Sequence, residues 1–133
     1  MLIVDASCLY EVISEGPLDD AVLGALEEFE EKGAPKLIDA EVPGLIRRGT
    51  RLGLLHESRA AIAVAELNDW CGERFTHRPF SERVWALRED VGKWDAYYVA
   101  LAGALDAPMV TLDRRLARAD GPECEFIIPR IAS

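Results

Sequence analysis

Histidine, cysteine and positive charge are all scarce in this chain, and each scarcity argues against a class of chemistry. The two histidines, His56 and His77, stand apart with no His-x-x-x-His spacing. A zinc site is therefore not indicated, and both read as solvated or core side chains. The three cysteines, Cys8, Cys71 and Cys124, are odd in number, widely spaced and never paired as Cys-x-x-Cys. That argues against a disulfide framework or zinc ribbon and suits a reducing, cytoplasmic setting, with Cys8 read as a small buried residue. Lys and Arg number 15 against 24 Asp and Glu, a net charge of −9. Any nucleic-acid contact must then rely on a local basic patch or on metal ions. No apolar run reaches the roughly 18 residues of a membrane helix; the richest, Ala96 to Leu105, is too short, so no membrane association is expected. The opening MLIVDAS has no basic region and meets a carboxylate early, so it does not read as a signal peptide. Gly-x-Ser-x-Gly, Gly-x-x-x-x-Gly-Lys-[Ser/Thr] and Gly-x-Gly-x-x-Gly are all missing. The chemistries built on those loops lose their support with them.

What is present is an ordinary globular composition. The chain has 133 residues, 50% hydrophobic and 29% charged, enough for one domain (1–133) that buries about two thirds of its unfolded surface. Leu2-Ile3-Val4 reads as a short buried strand, with Ser7 placed to cap a following helix. Asp19 to Glu31 carries Val22, Leu23, Leu26 and Phe29 at helical spacing, and Gly33 ends it. Lys36-Leu37-Ile38 reads as a second strand, with Asp39 capping a helix to about Leu52. Further helices are expected over Glu57–Trp70, from Ser81 through Leu87, and over Lys93–Leu105, the last apolar almost all round and so buried. Phe75–Phe80 reads as extended, Pro108–Leu112 as a strand, Arg114–Ala119 as a short helix and Glu125–Ile128 as a last strand. Strands alternating with helices predict an α/β fold around a mainly parallel central sheet.

In such sheets ligands bind beyond the carboxyl ends of the strands. Three of the expected ends carry acids: Asp5, the Asp39/Glu41 pair and Asp113. Taken singly, each has a structural account. Asp39 and Asp113 precede helices, and Asp95 and Glu41 sit in first turns, where a carboxylate favours the helix dipole. Asp5 is harder to explain that way, because Ser7 already offers a cap. Taken together, Asp5, Glu41, Asp95 and Asp113 in one cleft would repel one another unless cations sat between them. Oxygen-only carboxylate clusters select Mg²⁺ or Mn²⁺, ions that also bind phosphate oxygens and promote phosphodiester hydrolysis. The residues alone leave both accounts open. The basic clusters Arg47-Arg48-Gly49-Thr50-Arg51 and Arg114-Arg115 read first as solvated helix faces, though each follows one of these acids and is placed for phosphate contact. Trp70, Trp85 and Trp94 read as core or interface rather than as base-stacking platforms.

Four blocks then resemble a known family. LIVDAS, LIDAEVPGLIRRG, WDAYYVALAGAL and APMVTLDRRLA, with WALRED before the third, are similar in order and spacing to the PIN-domain toxins of bacterial VapBC toxin–antitoxin pairs. The resemblance spans nearly the whole chain, DAYYVALA and VTLDRRLA are its most specific parts, and Gly53–Phe80 matches loosely. It implies a single PIN domain over 1–133, a three-layer α/β/α sandwich, and a tendency to form homodimers. It also implies an Mg²⁺- or Mn²⁺-dependent endoribonuclease, the toxin of a type II pair, that hydrolyses RNA through metal-activated water and is inhibited by a cognate VapB-type antitoxin. The family's acidic set falls on Asp5, Glu41, Asp95 and Asp113; the mechanism we expect from them has Asp5 and Asp95 as principal metal ligands and Glu41 and Asp113 ligating or orienting through water. Asp39 lies outside the set. Arg47, Arg48 or Arg88 are candidates for contacts with acidic groups of the partner. Two rivals are weaker. An aspartyl-nucleophile phosphatase resembles Asp-x-Asp after its first strand, where this chain has Ser7, and a non-catalytic PIN-like binder would be marked by loss of one of the four acids.

Overall fold

The computed structural model describes residues 1–131. Five short strands, β1 (Leu2–Val4), β2 (Lys32–Pro35), β3 (Glu73–Phe75), β4 (Met109–Val110) and β5 (Phe126–Ile127), form one sheet in the order β3-β2-β1-β4-β5. Every pair is parallel, with Ile3 opposite both Gly33 and Met109. Helices occupy every crossover, which is what parallel neighbours require. They are α1 (Ala6–Ile13), α2 (Asp19–Glu27), α3 (Ile38–Arg51), α4 (Glu57–Asp69), α5 (Ser81–Ala86), α6 (Asp95–Ala104) and α7 (Arg114–Ala117).

The chain steps from β1 to β2 to β3 in one direction, then crosses back to β4 and β5 in the other. Right-handed crossovers therefore put α1–α4 on one face of the sheet and α5–α7 on the opposite face. The packing agrees: α1 lies against α2, α3 and α4, while α6 lies against β1, β2 and β4. The expected three-layer α/β/α sandwich is thus present. Its core is built from β1, buried throughout, and from α6, where Ala96 and Tyr98 to Ala102 are all buried. No helix among the described residues is long and apolar enough to cross a membrane. Reversal of direction between β1 and β4 opens a crevice past their carboxyl ends, the place where such sheets bind ligands.

Four local expectations need correction. β2 lies at Lys32–Pro35, and Leu37-Ile38 instead begin α3. Leu37 and Ile38 suggest a strand by residue type, but the buried slot at β2 admits only small residues: a Cβ on Gly33 would lie 2.9 Å from the Phe75 ring and 3.1 Å from the Met1 sulfur. Ser7 is not the cap of α1; Asp5 holds that position through its carbonyl, which accepts from the amides of Cys8 and Leu9. Arg78–Phe80 is a 3-10 turn rather than extended, because Pro79 favours a helical first turn. Of the two places expected for the tryptophans, core or interface, Trp70 is half-buried against the core, whereas Trp85 and Trp94 are 67% and 51% exposed and lie outside it.

Asp39 does not cap α3, whose N-cap is Leu37. Its carboxylate is gripped by Arg74 through Nε and Nη2, both at 3.1 Å. The same guanidinium donates to the carbonyls of Leu67 (2.9 Å), Trp70 (2.7 Å) and Gly72 (2.8 Å), closing the end of α4. Arg74→Ala leaves those carbonyls and Asp39 without their donor and should cost about 2–3 kcal/mol. Arg74→Lys should recover little of that, because an ammonium cannot reproduce the fork. Urea denaturation of the two variants checks both expectations.

Candidate active site

The crevice beyond β1 and β4 is floored by Asp5. This side chain is only 7% exposed, yet no cation touches it among the described residues. Its Oδ2 accepts from the Thr111 hydroxyl at 2.7 Å and from the Ser7 hydroxyl at 3.2 Å. Burial pushes the Asp5 carboxyl pKa up, those two hydroxyls and the Ala6 amide pull it back, and the charge of Asp113 adds to the rise. Thr111, fully buried at the end of β4, also accepts from the Asp113 amide at 3.1 Å, so one hydroxyl ties the first acid to the last. Asp113 is exposed and caps α7, its Oδ1 accepting from the amides of Arg115 (2.9 Å) and Leu116 (3.2 Å). The expected capping role is real, and it leaves Oδ2 of Asp113 uncommitted.

Asp95 opens α6, and Glu41 lies in the first turn of α3. Burial, reinforced by the charges of Asp5, Asp113 and Glu41, lifts Asp95 from 3.8 to about 6. Glu41 is raised by burial and by Asp5, and lowered by the nearby Tyr98 hydroxyl. Oε1 of Glu41 and the Tyr98 hydroxyl are both buried, and neither makes a well-formed hydrogen bond. Tyr98 is fully buried on α6, and its own ionisation is pushed far up by burial and by Glu41. The four acids therefore feel one another, although their strands and helices are far apart in sequence. Asp95 and Asp113 also share a cleft of about 290 Å³ with Asp90 and Arg115.

Three participants escaped the sequence reading. Thr111 and Tyr98 lie inside the quoted blocks, but what they face, Asp5 across 106 residues and Glu41 on another layer, is revealed by no local pattern. Asp90 closes the WALRED block but was not singled out there as a site residue. The histidines keep structural roles, as expected: His77 Nε2 accepts from the Leu37 amide at 3.0 Å, and His56 caps α4.

The donor set fits a hydrated hard cation. Its side chains offer only oxygen, one of those atoms is a buried carboxylate oxygen without a partner, and none of the four acids is paired with Lys or Arg among the described residues. No three Asp, Glu, His or Cys side chains there already stand close enough to grip a bare ion. Mg²⁺ asks less than that, since it keeps several waters and takes one or two carboxylates directly.

The pKa of Asp95 carries a signed expectation. A carboxyl raised from 3.8 to about 6 contributes stability in full below 3.8, and that contribution is lost as pH rises through about 6. In chelator, Asp95→Asn should therefore gain stability relative to the wild type between about pH 4 and pH 6.5, then hold a constant advantage. Denaturation midpoints across that range read the difference directly. A difference that does not vary with pH would contradict the coupling.

Comparison with known proteins gives the relatives of this chain. The sequence profile described as "PIN domain" matches residues 2–122. Ribonuclease VapC1 of Mycobacterium tuberculosis is 37% identical over 129 residues, 96% of this chain and 97% of the relative. Ribonuclease VapC12 of the same organism is 33% identical over 126 residues, 95% of this chain and 97% of that one. Among solved structures, FitAcB from Neisseria gonorrhoeae superposes with a TM-score of 0.71 at 15% identity, covering 95% of this chain and 96% of its own. VapBC2 from Rickettsia felis, bound to a DNA fragment from its promoter, gives 0.67 at 13% identity, covering 97% and 98%. At these identities the structures speak to the fold.

Proposed function

This chain belongs to the PIN-domain family and, within it, to the VapC proteins, and we propose that it is an Mg²⁺- or Mn²⁺-dependent endoribonuclease acting as the toxin of a type II toxin–antitoxin pair. The observation that carries this reading is the crevice itself: four mutually repelling acids, one of them deeply buried, at the switch point of a parallel sheet, none of them ion-paired with Lys or Arg among the described residues. Unpaired buried charge is costly and persists where it serves a ligand.

When bound, Mg²⁺ or Mn²⁺ supplies Lewis acidity, offsetting phosphate charge and making water a competent nucleophile. Asp5 and Asp95 are the side chains that would hold it, with Glu41 and Asp113 ligating or orienting through water. Thr111 and Ser7 fix the Asp5 carboxylate so that its direction does not depend on the ligand. Arg115, at the rim of the cleft, places a guanidinium where a phosphate would enter.

The relatives named ribonuclease support RNA as substrate, and the toxin–antitoxin neighbours support a VapB-type antitoxin as partner. A basic antitoxin side chain entering the crevice would satisfy the same acids. A homodimer in the cytoplasm completes the reading. Incubating the purified protein with single-stranded RNA tests it: cleavage should require Mg²⁺ or Mn²⁺ and stop in chelator. Expression alone should arrest growth, and coexpression with the neighbouring antitoxin gene should relieve it. Harmless accumulation of folded wild type would count against the toxin role.

A further inference from the structure

Beside the acidic cleft lies a second groove of different character. It holds about 280 Å³ between α5 and the start of α6, and its walls include Trp85, Arg88, Lys93 and Tyr97. Val91 lines both spaces, so the groove and the acidic cleft lie on two sides of one side chain. Trp85 is 67% exposed, and the guanidinium of Arg88 sits 4.2 Å from the centre of its ring. Tyr97 is braced on two sides, edge-on to His77 at 5.0 Å and tilted against the half-exposed Trp94 at 6.1 Å.

The charge here runs against that of the molecule. The charged side chains that line the groove are Arg88 and Lys93, both cationic, in a protein whose net charge is −9. Lys93 has no ion-pair partner among the described residues, and Arg88 has only Glu89 at 3.8 Å. Large exposed aromatics cost solvation free energy and mark binding surfaces when they cluster with cations. Rings that present flat faces beside Lys and Arg are the ingredients of single-strand nucleic-acid recognition, where bases stack and phosphates meet the cations.

We propose that this groove is a nucleotide subsite, in which a base of single-stranded RNA one step from the scissile phosphate stacks on Trp85 and Tyr97 while Arg88 and Lys93 take the adjoining phosphate. The proposal rests on the ribonuclease reading and deepens it: an acidic crevice that repels RNA gains its grip on the substrate from the neighbouring face. It also requires unpaired substrate, because a base inside a duplex cannot reach a side-chain stack.

The test separates the subsite from the activity. Cleavage of RNA by the wild type in Mg²⁺ is measured first; its absence would count against the ribonuclease reading and, with it, this one. Binding is then measured by fluorescence anisotropy of a labelled eight-nucleotide single-stranded RNA, with Asp95→Asn in every protein so that the probe survives. Trp85→Ala should weaken binding about tenfold, Trp85→Phe should retain most of it, and a double-stranded probe should not distinguish them. In the otherwise wild-type enzyme, Trp85→Ala should raise KM with little change in kcat. An active wild type, together with single-strand affinity that Trp85→Ala leaves unchanged, would overturn the subsite. So would conversion of a dimer to a monomer by Trp85→Ala in sedimentation, which would make this face an interface between copies.

Discussion

Asp5→Asn should abolish RNA cleavage and, in the same protein, raise the melting temperature measured in chelator. The substitution keeps a carbonyl oxygen to accept from Thr111 and Ser7, so the local hydrogen bonds survive. It removes a buried charge that has no ion-pair partner among the described residues. Relief of that charge should stabilise the metal-free protein by about 0.5–2 kcal/mol, several degrees of Tm for a domain of this size. Loss of the proposed principal ligand should remove several kcal/mol of transition-state stabilisation, a fall in kcat of about a thousandfold or more. Mg²⁺ at tenfold its Kd should raise the wild-type Tm through about 1.4 kcal/mol of mass action and do much less for Asp5→Asn. Equal metal-induced shifts in the two proteins would remove Asp5 from the site.

Thr111→Val is the second large effect, and its sign on stability is opposite. Valine fills the same volume but withdraws the hydroxyl that Asp5 and the Asp113 amide share. A buried carboxylate loses its shortest hydrogen bond, and the amide at the start of α7 loses its acceptor, at a cost of about 2–4 kcal/mol. Because Asp5 and Asp113 are both held through this atom, cleavage should fall about 10- to 100-fold, the range for outer groups that orient metal ligands. Thr111→Ser keeps the hydroxyl and should stay near the wild type in both measurements. Activity and unfolding curves for the pair distinguish orientation of the acids from simple core packing.

How far the sequence could be read followed the range of the interactions involved. Asp5 and Asp113 stood out because each follows a strand whose apolar run is visible in three or four letters, and strand ends are where a parallel sheet binds ligands. α6 was legible for the same local reason, its residues being apolar all round. β2 was misplaced because Gly33-Ala34-Pro35 contradicts strand preference, and only the approach of Phe75 and Met1 across the sheet explains why small residues stand there. Asp39 looked like a helix cap until Arg74, 35 residues away, claimed its carboxylate. The Trp85 face was invisible because α5 is only six residues long and its burial depends on what packs beside it.

The fate of the scissile bond tests the central claim most directly. Water attack with departure of the 3′ oxygen leaves a 5′-phosphate and a 3′-hydroxyl, whereas attack by the RNA 2′-hydroxyl leaves a 2′,3′-cyclic phosphate. The second route calls for a general base and acid at the site, commonly histidines. Here His56 and His77 are engaged in a helix cap and a backbone contact. Mass spectrometry of the fragments from a short RNA cut in Mg²⁺ should show 5′-phosphate and 3′-hydroxyl ends, and none when Asp95→Asn replaces the wild type. Cyclic phosphate ends, or undiminished cleavage by Asp95→Asn in chelator, would contradict the account.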